Sequence, residues 1–227
     1  MEYTIRGTVM QNVEITLGQG EAVYTEAGGM AWMTANIDMN TNMRGGLMGA
    51  LQRAVSGESL FMTTYACTSG SGFVTFTTET PGKIVPMELA PGQSLICQRD
   101  AFMVAEESVE LEMHMHKRLG AALFGGEGLF LQKVTGPGTV WFELAGEITE
   151  YDLEPSQALK VDPGHVALMD PTVDFDITTV PGIRNIFLGG EGLFLARVSG
   201  PGRVWLQSMP LPNLALRLAP YLPSSSD

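Results

Sequence analysis

An all-β chain built from three tandem repeats is the fold this sequence predicts, on three observations. The stretch GGEGLFLQKVTGPGTVW, Gly125 to Trp141, returns as GGEGLFLARVSGPGRVW, Gly189 to Trp205, identical at thirteen of seventeen positions and shifted by 64 residues. A fainter version, GESLFMTTYACTSGSGFVTF, runs from Gly57 to Phe76. Elsewhere the apolar residues alternate with period two, as in a strand with one buried face, and 27 glycines with 13 prolines supply turns. One motif written three times marks a repeat array. The repeats divide at about 1–90, 91–153 and 154–227 within a single domain, with few short helices.

In chain order, Thr4 to Val9 and Val13 to Leu17 read as opening strands, ending at Gly18-Gln19-Gly20. Glu21 to Thr25, Met30 to Met33 and Ile37 to Asn40 continue the alternation around a glycine turn at Gly28-Gly29. Pro81-Gly82 and Pro91-Gly92 bracket a crossing into the second repeat. Residues 93 to 141 then align without a gap on residues 157 to 205, whereas the first repeat matches Ile37-Asp38-Met39-Asn40 at a shift of 72. Within Val109 to His116, side chains two apart share a face. Glu110, Glu112, His114 and His116 form one row, and Val109, Leu111, Met113 and Met115 the other.

In each signature a run such as Gly-Leu-Phe-Leu-x-Lys-Val is followed by Gly136-Pro137-Gly138 or Gly200-Pro201-Gly202, then by Val-Trp. Proline fixes φ and glycine accepts a positive φ, so the pattern predicts a β-hairpin. The first repeat has the longer turn Thr68 to Gly72. An acid recurs after the first glycine, as Glu58, Glu127 and Glu191. A residue present in every repeat suits a structural task, a carboxylate accepting from turn amides, better than a ligand site. The tail places Asn213 as a helix cap before Leu214 to Leu218, with Pro220 as the stop.

Composition excludes several functions. The net charge is −12; residues 100–176 carry fifteen acids against four bases, and residues 177–226 one acid against four. Nucleic-acid binding needs a basic stripe that this chain lacks. No apolar run reaches membrane-spanning length. The start, MEYTIRGTVM, has neither a signal-peptide nor a transit-peptide pattern, which points to the cytoplasm. Cys67 and Cys97 sit in apolar strand contexts and read as buried thiols. Residues 43–56 break the β rhythm: Leu47, Leu51 and Val55 fall at helical spacing, in a segment that carries two bases, Arg44 and Arg53, and no acid. That suits a cap over the core, or a contact for a partner protein or a membrane surface.

Catalytic chemistry is hard to assemble. A nucleophile needs a base and an orienting acid, and the chain has three histidines and no G-x-S-x-G. The G-x-G patterns join strands, whereas phosphate loops open helices. His114-Met115-His116, with Glu112, is the one candidate metal set. Against it, the other repeats put Asn42 and Thr178 at the position of His114, so a solvated or subunit-facing strand is the plainer expectation. No cofactor is expected.

The tripled GE[GS]LF signature, together with GGLMGALQRAVSGESLF, resembles the altered-inheritance-of-mitochondria protein 24 family across essentially the whole chain. The resemblance implies three units similar to the tryptophan RNA-binding attenuation protein (TRAP), each a short double-stranded β-helix. It further implies a homotrimer whose nine units close a ring. Family members are mostly without assigned activity, and the eukaryotic one is tied to mitochondrial inner-membrane organisation. The functional expectation is a non-enzymatic scaffold or interaction protein; the alternative is a small-molecule-binding or metal-dependent cupin-like protein.

Overall fold

The computed structural model describes residues 1–26, 29–42, 62–117, 129–179 and 194–221. Most of these residues lie in strands. The first seven are β1 (Glu2–Arg6), β2 (Asn12–Gly18), β3 (Ala22–Glu26), β4 (Met30–Met33), β5 (Ile37–Asn42), β6 (Met62–Cys67) and β7 (Ser71–Thr77). Six more follow: β8 (Gly82–Leu89), β9 (Ser94–Gln98), β10 (Phe102–Glu106), β11 (Glu110–Lys117), β12 (Leu129–Thr135) and β13 (Gly138–Ala145). The last are β14 (Ile148–Leu153), β15 (Ala158–Val161), β16 (Val166–Met169), β17 (Asp174–Thr179), β18 (Phe194–Ser199) and β19 (Gly202–Gln207). One α-helix, α1 (Leu211–Leu218), and short 3-10 turns complete the described residues.

The chain divides into two compact units. The first comprises Met1–Ser94, Asp100–Met113 and Lys133–Leu144; the second comprises Leu95–Arg99, His114–Gln132 and Ala145–Asp227. Strand order in the four sheets is β1-β2-β7-β4, β5-β6-β3-β10-β13-β8, β11-β12-β9-β16-β19-β14 and β15-β18-β17. The core of the first unit joins Val13, Ile15, Val74 and Phe76 from the first sheet to Val23, Tyr65, Val104 and Trp141 from the second. That of the second unit joins Ile96, Leu131, Val166 and Val204 to Phe175, Ala196 and Val198. Both are sandwich cores, filled from two sheets. β2 shows how the sequence produces this. Val13, Ile15 and Leu17 are buried, and Asn12, Glu14 and Thr16 between them are half-buried. Complete burial of each such aliphatic side chain is worth about 1.5–3 kcal/mol, enough to set the strand's register, since a one-residue slip would turn all three to solvent.

The anticipated hairpins are a different structure. β6 and β7 belong to different sheets, as do β12 and β13, and β18 and β19. Each signature is an arch that carries the chain from one sheet to another. The reason lies in the edges. β6 is already paired on both sides, by β5 and β3, and β7 by β2 and β4, so neither has free backbone groups for the other. They meet through side chains: Tyr65 and Phe76 stand edge to face with ring centroids 5.5 Å apart. The Gly-Pro-Gly corners serve the crossing. Gly138 and Gly202 have φ of +133° and +137°, a region closed to L side chains in practice. The Gly136 and Gly200 N–H groups donate to Gln93 O and Gln157 O, at 2.9 and 3.0 Å.

Local geometry recurs along with sequence. Antiparallel β10–β13 sets Val104 opposite Trp141, with a bulge after Phe102. The β16–β19 pair sets Leu168 opposite Trp205, with a bulge after Val166, and β4–β7 sets Trp32 opposite Thr75, with a bulge after Met30. The side chains of Gln93 and Gln157 accept from the N–H three residues back, on Ala90 and Glu154, and Glu21 accepts from Gly18 in the same way.

Two terminal expectations shift. The first strand is Glu2–Arg6 and stops before Gly7, whose φ is +94°. The helix starts at Leu211 with Pro210 at the cap, so Asn213 lies inside it. Proline suits a first helical turn because its missing N–H has no partner there to lose. Cys67 and Cys97 are buried thiols, as expected.

Candidate functional site

In the second unit a buried amide organises one end of β19. The Gln207 side chain accepts from Ala145 N–H at 3.0 Å and donates to Gly164 O at 3.0 Å and Gln98 Oε1 at 3.2 Å. Beside it, His165 follows Asp162, whose carboxylate accepts from Gly164 N–H and caps the 3-10 turn Pro163–His165. His165 Nδ1 lies 2.7 Å from the Gln207 carbonyl oxygen. A carbonyl can only accept, so Nδ1 holds the proton and Nε2 accepts from the Asn213 amide at 3.4 Å. His165 therefore pins the turn to β19 and α1, with both ring nitrogens engaged.

The equivalent position in the first unit, 64 residues earlier, is Glu143. Its carboxylate accepts from Glu79 N–H at 2.9 Å, as Gln207 does from Ala145. Burial, with the charges of Glu79 and Asp100 nearby, raises its pKa to about 7 against the lowering effect of that hydrogen bond. The signal is present in the sequence, an acid after Val-Trp-Phe where the other repeat has an amide after Val-Trp-Leu, but it belongs to no catalytic or metal-ligand motif.

A groove of about 520 Å³ lies in the second unit. Its walls are β14 with Thr149 and Tyr151, and β15 with Leu159, Lys160 and Val161; His165 and Ser208 close one end. Ser208 Oγ accepts from Glu147 N–H at 2.8 Å, and Asp162 is held as a cap. The polar groups at that end serve the backbone, so the groove suits covering a surface better than activating a nucleophile.

The residues singled out from sequence fall in several places. Gly136, Gly138, Gly200 and Gly202 sit at the arch corners described above. Glu58, Glu127 and Glu191 lie outside the described residues, as do Leu47, Leu51 and Val55. Glu112 and His114 share the exposed face of β11, and His116 follows on the same strand, though its side chain is outside the described set. Glu112 is paired with Lys133 at 3.0 Å with 61% of its side chain exposed. No third metal-ligating group joins them among the described residues. Exposed pairs contribute little, so Lys133→Ala should change stability by less than about 1 kcal/mol in a urea titration.

The family model for mitochondrial biogenesis AIM24 matches residues 3–209. The chain belongs to the AIM24 family. An uncharacterized protein of Streptococcus pyogenes serotype M6 is 34% identical to this AIM24 chain, over all of this chain and 93% of the relative. A crystal structure of a protein from Streptococcus pyogenes superposes with a TM-score of 0.79 at 31% identity, covering 97% of this chain and 99% of that one. The whole AIM24 chain is therefore matched, both arch corners included. Among the described residues no helix is long and apolar enough to cross a membrane.

Proposed function

We propose that this AIM24-family protein is a non-enzymatic, cytoplasmic scaffold of three tandem TRAP-like units that assembles as a homotrimer. One observation carries the reading. The six strands β2–β7, the six strands β8–β13 and the six strands β14–β19 occupy corresponding places in the sheets, yet among the described residues the sets at the two ends lack the neighbour that the middle set has on both sides. Open sheet edges invite pairing, and closure into a ring removes them. The engaged nitrogens of His165 and the backbone duties of Asp162 and Ser208 support binding over catalysis. Static light scattering should return three times the chain mass of 24.4 kDa. A monomer at micromolar concentration ends the proposal.

A further inference from the structure

Two junctions inside the chain are built alike. In the first, β3 pairs antiparallel with β10, placing Tyr24 opposite Ala105 and Val23 opposite Glu106. In the second, β9 pairs with β16, placing Ile96 opposite Met169 and Cys97 opposite Leu168. The repeat shifts of 72 and 64 residues carry Tyr24 onto Ile96 and Ala105 onto Met169, so the two ladders share one register. Carried one step further, the same register joins β15 to β4. Among the described residues both of these strands stand at sheet edges, with no partner on their outer sides.

Burial follows the same logic. Where the junction is made, both strands are covered: Val104 and Leu168 are 0% exposed, and Ile96 and Cys97 2% and 1%. At the equivalent positions of the open edges, Trp32 is 49% exposed, Lys160 is exposed, and Val161 is half-buried. A tryptophan half in water, at a position that is otherwise fully dry, lacks its cover. The groove between β14 and β15 is the matching gap, lined by Leu159 and Val161 from the open strand.

We propose that β15 of one copy of this chain pairs antiparallel with β4 of the next copy, head to tail. Val161 lies opposite Trp32, Lys160 opposite Met33 and Leu159 opposite Thr34. This inference rests on the oligomer proposed above and names the strands that make it. The occupant is a second copy because the register comes from the chain's own junctions; an unrelated edge would have no reason to match it. Such a contact is heterologous, so it continues until the ring closes.

The test uses separately tagged chains, one with Trp32→Cys and the other with Val161→Cys, co-expressed and mildly oxidised. A second couple carries Met33→Cys and Lys160→Cys. Neighbouring antiparallel pairs alternate between wide and close spacing, and the close pair has Cα atoms about 4.5 Å apart, within disulfide reach. The expected result is a disulfide-linked heterodimer from at least one couple, none from any variant expressed alone, and none when Trp32→Cys meets Ala158→Cys, three residues out of register. A light-scattering trimer without cross-links from either couple overturns this junction and leaves the oligomer standing. A linked homodimer of Trp32→Cys chains overturns it in favour of a symmetric contact. A monomer removes both proposals. Fluorescence gives a second measure, because Trp141 and Trp205 are 0% and 3% exposed. Acrylamide should quench the assembled protein weakly, and quenching should rise on dilution below the assembly threshold. Strong quenching of the intact trimer overturns the burial of Trp32.

Discussion

Gly200→Ala should cost about 4 kcal/mol or more, enough to leave little folded protein. A Cβ on Gly200 would meet the carbonyl oxygen of Leu153 and would lie 2.5 Å from that of Glu154, both backbone atoms at the end of β14. Side chains can swing away from a methyl group, whereas a strand end tied into its sheet cannot. β14 is held to β19 from Ile148 to Leu153, and Gly200 N–H is itself bonded to Gln157 O. Relief would require breaking one of these. Costs of this size are confined to a few causes, of which a backbone clash in a closed corner is one. Gly70→Ala is the control. It lies in the turn between β6 and β7 with φ of +61° and nothing within 4 Å of the added methyl. There the loss is only that of a left-handed alanine, about 1–2 kcal/mol. Urea midpoints of the two variants at equal protein concentration decide the matter. If both fall by the same small amount, the corner at Gly200 is looser than its packing implies. Gly136→Ala, whose methyl would sit 2.6 Å from Leu89 O and Ala90 O, should behave like Gly200→Ala.

That contrast also marks what sequence could and could not show. The identity of Gly125–Trp141 with Gly189–Trp205 exposes the period, and the alternation in Asn12–Gly18 exposes the strand, because both are local patterns in a line of residues. The partner of a strand is not local. Gly-Pro-Gly between two apolar runs fits a hairpin and an arch equally well, and what separates them is whether the first strand's edges are already taken. For β6 they are taken by β5 and β3, one of which lies well before it in the chain. The helix start differs for a smaller reason. Asn213 is a good cap in isolation, but Pro210 and Pro212 already fit the first turn, and His165 gives the asparagine amide another task. Glu112 and His114 do share one face of a strand, as the alternation predicts. Lys133 across the ladder pairs with the Glu112 carboxylate, a neighbour the strand pattern alone does not reveal. The open edges at β4 and β15 are visible only beside the closed versions of the same junction.

Glu143→Gln should stabilise the protein above neutral pH and do almost nothing near pH 4. The folded state raises this carboxyl to about 7 from the ordinary 4.5, so the native protein holds the proton more tightly than the unfolded chain. The sign follows directly: a group whose pKa rises on folding gives its full support below the unfolded value. That support is lost as pH climbs from about 4.5 to about 7, and is flat beyond. A shift of that size corresponds to at most about 3 kcal/mol at 1.36 kcal/mol per unit, and partial exposure of the side chain brings the expectation nearer 2 kcal/mol. Glutamine suits the site because the equivalent residue is already Gln207, which accepts from Ala145 N–H as Glu143 does from Glu79 and also donates from its amide. Only the protonated acid can imitate the donor. Removing the ionisable group also removes its repulsion with Glu79 and Asp100. The check is the difference in urea midpoint between variant and parent at pH 4.5, 6 and 8, with protein concentration fixed because assembly contributes to apparent stability. The difference should be near zero at the lowest pH and should grow to its plateau by pH 8. A constant difference across the range would mean that Glu143 titrates normally, and that the acid in place of the amide carries no pH dependence of its own.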